Sequence, residues 1–375
     1  MLSARPAGVC HHRFGRRETA ITSLADPAPG CITLGVDTHN DVHVAAAVDG
    51  LGRLLGTVSI PTTPQGYQAL LAWARSLGTP AAWGVEGTSS YGAGLARMLT
   101  QAGQVVIEVN RPDRAARRPQ GKSDPVDAVA AARAVLAGRA AVLPKAATGP
   151  VEAIRALRVA RAGALKARTA ATNALKGLLV TAPAGLRQQL RGLPRAKLVS
   201  ACASLPASPA DAATAGIQAA MASLAGRIQT LTSEITTLDE QLGRLVAQAA
   251  PRLLDRFGVG TDSAGALLVA AGDNPTRLRH EAGFAALCGA SPVQASSGKT
   301  VRHRLNRGGN RQANAALYRI VVVRLRHDPR TQAYMARRLK QGKTRREVIR
   351  CLKRYLAREI YAALLPATIP APTTP

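Results

Sequence analysis

From residue 31 the chain moves through short apolar runs separated by polar breaks, a rhythm that spells strands before it spells helices. CITLGVD (31–37) is apolar up to its terminal acid and reads as a buried strand. VHVAAAV (42–48) follows a short polar turn as its partner. Asp49 and Gly50 turn the chain again, and RLLGTVSI (53–60) makes a third strand ended by Pro61. TPQGYQALLAWARSLG then spaces its apolar residues as a helix does. A strand at 81–86, a helix near 90–102, a strand at 104–109 and a helix beginning near Asp124 complete this stretch.

The order β-β-β-α-β-α-β-α is the ribonuclease H-like arrangement. In it the first and fourth strands lie side by side, so Asp37 and Glu86, each at or near a strand's C-terminal end, are expected close together. Asp124 and Asp127 are three residues apart and share one helix face, so both can be offered to the same site. Each acid also has an ordinary structural explanation. A strand-end Asp often only forms a turn, and Asp124 ahead of Pro125 suits a helix N-cap with Pro at the first helical position.

The second half is helical. Residues 151–180 form a basic helix with Arg155, Arg158, Arg161, Lys166, Arg168 and Lys176. Leu224, Ile228, Leu231, Ile235, Leu238, Leu242 and Leu245 then recur at alternating spacings of four and three, a heptad seam. That seam predicts a coiled coil joining subunits, or packing against the basic helix of the same chain. In LDRFGVGTDSAGALLVAA (254–271) the Gly258 to Gly260 turn resembles a helix-hairpin-helix, whose backbone N–H groups bind phosphate without reading bases; glycine also simply ends helices. The expected fold is α/β plus α. A disordered extension (1–30) precedes a ribonuclease H-like domain (31–148), a basic-helix and coiled-coil region (149–250), a mainly helical C-terminal domain (251–365) and a disordered tail (366–375).

Charge turns this outline toward nucleic acid. The 375 residues hold 50 Lys and Arg against 22 Asp and Glu, a net charge of +28, which a polyanionic phosphate backbone would neutralise. Between Lys299 and Glu359 there are 19 Lys or Arg and 3 Asp or Glu. Contacts to phosphate are expected from Arg155, Arg158 and Lys166, from the Gly258 and Gly260 backbone, and from Lys299, Arg302, Arg304, Arg307 and Arg311. Within so positive a chain, gathered carboxylates call for cations, and hard oxygen ligands suit Mg²⁺ or Mn²⁺. Asp37, Glu86, Asp124 and Asp127 are therefore the candidate metal ligands. Five scattered cysteines without a CxxC pair indicate neither a disulfide framework nor zinc and fit a reducing cytoplasm. No apolar run is long enough for a membrane span.

One loop differs in kind. In GASPVQASSGK a small hydroxyl followed by glycine in basic surroundings is placed to present a nucleophile, although most loop serines are inert. GVDTHND, GVEGTSSYG and KSDPVDA in the first half, with FGVGTDSAGALLVAAGD, GASPVQASSGK and GGNRQANAAL in the second, resemble the insertion-sequence 110 family of DEDD transposases in motif, order and spacing. The resemblance covers about residues 31–365. Asn40 stands where many relatives have lysine, and the N-terminal extension departs from the pattern; neither touches a proposed ligand.

The resemblance implies a bacterial recombinase, cytoplasmic and nucleoid-associated when on DNA, with a first domain like Holliday-junction resolvases. It implies divalent metal at Asp37, Glu86, Asp124 and Asp127. It also implies that Ser297 attacks DNA to form a phosphoserine, with Ser296 as the competing assignment. The implied partners are donor and target DNA, a noncoding bridge RNA and further copies of the chain, as a dimer and as a tetramer in the synaptic complex, the serine domain of one chain serving the metal domain of another. The alternatives are a structure-selective nuclease that uses water, and a noncatalytic nucleic-acid-binding protein.

Overall fold

The computed structural model describes residues 30–110, 123–206, 211–299 and 303–365. The extension and tail expected at the termini lie outside the described residues, as does Arg302. The chain divides into two compact units, Met1–Pro144 and Lys145–Pro375.

The first unit is built on a five-stranded sheet. Its strands are β1 (Cys31–Thr38), β2 (Val42–Val48), β3 (Leu54–Pro61), β4 (Thr79–Glu86) and β5 (Val106–Val109), in the order β3-β2-β1-β4-β5. β2 pairs antiparallel with β1 and β3, while β1, β4 and β5 run parallel. Every residue of β1 is buried, as its unbroken apolar run requires of a central strand covered on both faces. On one face, helices α1 (Pro64–Leu77) and α2 (Ala93–Gln101) bring Leu70, Leu71, Leu95 and Leu99 onto Ile32, Leu34, Val36 and Trp83. Trp83 is fully buried, and its indole N–H donates to Gln104 Oε1 at 3.0 Å.

The other face carries α3 (Asp124–Leu136), which lies unusually close. A Cβ on Gly35 of β1 would stand 2.0 Å from the Ala128 carbonyl oxygen and 2.3 Å from the Ala132 nitrogen. A Cβ on Gly84 of β4 would reach 2.7 Å from Val135 Cγ2. The two strand glycines and the alanines of α3 are thus complementary: absent side chains on the sheet admit the helix backbone itself.

In the second unit α4 (Pro150–Thr181) and α7 (Ala212–Ala249) form a long antiparallel pair. Val151 and Ile154 pack with Leu242 and Val246 at one end, and Ala171 and Leu175 with Met221, Ala225 and Ile228 at the other. Of the heptad seam, Ile228, Ile235 and Leu242 are buried, and Leu224, Leu231, Leu238 and Leu245 are half-buried. The short helices α5 (Ala184–Leu190) and α6 (Arg195–Ala203) close the far end of the pair. At the near end a single core joins α8 (Pro251–Leu254), α9 (Thr261–Ala271), α10 (Glu281–Leu287), α11 (Arg311–His327) and α13 (Arg345–Leu364). α12 (Pro329–Lys340) lies between α11 and α13 in the chain. Arg324 grips Glu359 through two hydrogen bonds of 2.7 and 2.8 Å, and these bonds hold the Glu359 carboxyl below its usual range against the opposing effect of burial. No helix among the described residues is long and apolar enough to cross a membrane.

Candidate metal centre and nucleic-acid interface

The carboxylates gather at the C-terminal ends of the two central parallel strands. Val36 pairs with Val85, which sets Asp37 and Glu86 in step at neighbouring strand ends, and the Thr38 hydroxyl donates to the Glu86 carbonyl at 3.0 Å. In open α/β sheets this is where ligands bind. α3 enters the same place with its first turn. Its N-cap is Ser123, so the expected cap, Asp124, is instead the first helical residue and keeps its carboxylate for other partners. Asp127 is buried at 3% exposure, one turn further on.

His39 joins them. Its Nε2 lies 3.3 Å from Asp37 Oδ2 and 3.5 Å from Asp124 Oδ1, and one ligand atom from each of the three residues fits within 4.8 Å of the others. Burial pushes the Asp37 carboxyl above its usual value; the carboxylates of Asp127 and Asp124 push the same way, and His39 opposes them. Of the four acids expected to converge, Asp37 and Asp124 thus share a tight group with His39, and Asp127 is near enough to act on Asp37 electrostatically. Glu86 stands beside them by strand register. His39 was not anticipated from the sequence; the available signal was an imidazole two residues beyond an acid at a strand end.

Ser297 sits in the second unit, in the loop of a small hairpin. β6 (Val293–Gln294) pairs antiparallel with β7 (His303–Arg304), and Ser296 to Lys299 are exposed between them. Gln294 Nε2 donates to Ser296 Oγ at 3.4 Å. Below the hairpin the chain is tightly clamped. A Cβ on Gly309, whose φ is +85°, would lie 2.6 Å from the Gly289 nitrogen. The Asn314 amide donates to the Cys288 and Gly289 carbonyls at 2.7 and 3.2 Å, and the buried Lys353 ammonium donates to Asn314 Oδ1 at 2.9 Å. A groove of 590 Å³ lined by Val293, Arg304, Leu305, Asn306, Arg307 and Gly308 runs beside the hairpin.

Each of the two units matches a family model over part of its length. Residues 34–182 match a family model described as a transposase, of the DEDD class of IS110, and residues 250–336 match one described as "Transposase IS116/IS110/IS902 family". Both matched stretches are thus similar to transposase domains of the IS110/IS116/IS902 families. A relative from Streptomyces coelicolor, the "Insertion element IS110 uncharacterized 43.6 kDa protein", is 30% identical over 151 residues. That match spans 38% of this chain and 37% of the relative. The DEDD class implies a divalent metal, and the observed donors fit one: two carboxylates and an imidazole converge where a third buried acid already raises the cost of unneutralised charge.

The expected phosphate contacts divide by their surroundings. Arg155 hydrogen-bonds Glu152 at 2.6 Å, and Arg158 hydrogen-bonds Asp262 at the same distance, so both spend charge within the chain. Asp262 also receives Arg319, at 2.6 Å, at the start of α9 just after the Gly258 to Gly260 turn. Gly258 has φ +81°, which opens that turn, and Gly260 caps α9. Lys166, Lys299, Arg304, Arg307 and Arg311 are all exposed, and Arg304 and Arg307 line the groove beside the serine hairpin.

Proposed function

We propose that this chain is a DNA recombinase that cuts and rejoins strands by phosphoryl transfer through a phosphoserine at Ser297, with sequence choice delegated to a guide RNA. The observation that carries the reading is the convergence of Asp37, His39 and Asp124 at adjoining parallel strand ends, with Asp127 behind them. The strand order β3-β2-β1-β4-β5 supports a ribonuclease H-like first domain. The exposed Ser297 beside a groove lined by Arg304 and Arg307 supports the second half of the site.

Divalent metal, Mg²⁺ or Mn²⁺, held by Asp37 and Asp124 with Glu86 and Asp127, would polarise the scissile phosphate and stabilise the leaving oxygen. The exposed cations at Lys299, Arg304, Arg307 and Arg311 hold the DNA backbone against the hairpin. Ser297 gives up its hydroxyl proton, its oxygen bonds to phosphorus, and the bond to one DNA oxygen breaks and leaves as a hydroxyl. Phosphodiester energy is conserved in the new linkage, so attack by a hydroxyl of another strand restores Ser297 and joins the strands. Gly298, which adjoins the nucleophile, takes the left-handed φ of +54° that favours glycine in this turn.

One observation favours a second reading. His39 beside two carboxylates is also a good arrangement for orienting a water, which would make the chain a structure-selective nuclease with Ser297 idle. Labelled DNA incubated with protein, guide RNA and Mg²⁺ and run on a denaturing gel decides between them. The recombinase gives a protein-linked band that Ser297→Ala removes and Ser296→Ala spares. Cleavage without any linked band establishes the nuclease instead.

A further inference from the structure

The last two helices carry a surface that neither half of the proposed site uses. Tyr334 of α12 and Tyr355 of α13 meet edge to face, with centroids 5.8 Å apart and planes at 88°. The Arg337 guanidinium stands 5.4 Å from the Tyr334 centroid. Burial and the hydrogen bond that its hydroxyl donates to Tyr355 push the Tyr334 hydroxyl up to about 12, so this ring stays neutral at any working pH. Tyr355 is 54% exposed, while the residues after it, Leu356 and Ala357, are buried in the core. Standing perpendicular, Tyr334 covers at most one face of Tyr355.

The surroundings are cationic. Arg330 and Arg338 lie one turn either side of Tyr334 on α12, and Arg358 lies one turn after Tyr355 on α13. Arg330 and Arg358 are exposed, Arg358 with its Nε 3.6 Å from Glu281 Oε1, and Arg338 is near enough to Tyr334 to act on its hydroxyl electrostatically. An exposed aromatic side chain on helices rich in guanidinium groups is matched to a nucleobase on a phosphate backbone, because the base stacks on the ring while the cations take the phosphates. A duplex keeps its bases stacked within itself, whereas looped RNA offers bases that are already free to stack on aromatic side chains.

We propose that Tyr355, supported by Tyr334 and Arg337, is a stacking platform for unpaired nucleotides of a folded RNA. The proposal rests on the reading of this chain as a nucleic-acid enzyme and adds an RNA-facing site to it. The test is fluorescence anisotropy of the full chain with four labelled strands: an RNA hairpin with an unpaired loop, a fully paired RNA of equal length, the loop sequence as single-stranded DNA, and duplex DNA.

Tyr355→Ala is expected to weaken binding of the looped RNA about tenfold or more, Tyr355→Phe to restore it, and neither to change binding of the paired RNA or duplex DNA. Unchanged affinity for looped RNA, or an equal loss on all four strands, overturns the platform. An equal loss on looped RNA and single-stranded DNA overturns its assignment to RNA. Thermal melting of Tyr355→Ala by circular dichroism, expected to match wild type, separates the effect from misfolding. The Ser297 linkage is read by a different assay on a different unit of chemistry, so either idea can fail while the other stands.

Discussion

Gly35→Ala should damage the first unit far more than its single methyl suggests. The added Cβ would stand 2.0 Å from the Ala128 carbonyl oxygen, and Cβ contacts become ordinary only at 3.4 Å, so α3 must withdraw by about 1.4 Å. The struck atoms are helix backbone and cannot rotate aside. Overpacking of this kind costs about 1–3 kcal/mol, and the upper end is expected here. α3 also carries Asp124 and Asp127, so its withdrawal spreads the carboxylate centre; a misplacement near 1 Å costs roughly 100-fold in rate. Differential scanning calorimetry and Mg²⁺-dependent DNA cleavage measure the two effects. Gly163→Ala, on exposed α4 with nothing within 4 Å of its Cβ, is the control, expected to be neutral or stabilising by up to about 1 kcal/mol. Wild-type stability and wild-type cleavage in Gly35→Ala would refute the argument that strand glycines dock α3.

Further outcomes follow from the same geometry. Asp37→Ala or Glu86→Ala should abolish cleavage and leave nucleic-acid affinity largely intact, because the cations rather than the acids bind the backbone; full cleavage by folded Asp37→Ala in Mg²⁺ would contradict this. His39→Ala should weaken Mn²⁺ binding, followed by electron paramagnetic resonance, by roughly tenfold and weaken Mg²⁺ binding less, since imidazole suits transition metals better than Mg²⁺; an unchanged Mn²⁺ affinity would remove His39 from the ligand set. His43 is fully buried and stacked on Tyr67, and burial holds its pKa below the ordinary 6.5. The unfolded chain therefore binds that proton more readily, so the stability this histidine contributes is complete above pH 6.5 and is lost as pH falls. His43→Leu should flatten the acid limb of the first unit's melting profile, and an unchanged limb would show that other groups set it.

The strands were legible because their apolar runs are unbroken and their ends carry turn residues; the all-buried CITLGVDT could hardly be anything but a central strand. The adjacency of Asp37 and Glu86 followed from topology once the element order was read. What the sequence did not display was distance. Gly35 and Gly84 look like weak points in two strands, and only the packed helix reveals them as the reason that α3 reaches the site. His39 escaped because a histidine in a turn has many ordinary uses, and its two carboxylate neighbours come from separate elements. Asp124, a candidate metal ligand, also suited a cap because Pro125 follows it; Ser123 takes that position and shifts the frame by one residue. The heptad period showed that α7 buries a stripe, yet periodicity names no partner, and the buried row of that stripe packs on α4 of the same chain.

The central claim is that Ser297 holds the cut DNA strand. Protein reacted with target DNA, guide RNA and Mg²⁺ should be digested to peptides and its DNA trimmed by nuclease, and the modified residue then located by tandem mass spectrometry. The expected result is a nucleotide phosphate on Ser297, present in wild type and absent from Asp37→Ala. A nucleotide on Ser296 instead would move the nucleophile by one residue, and fully cleaved DNA with no modified peptide would contradict serine chemistry in this protein altogether.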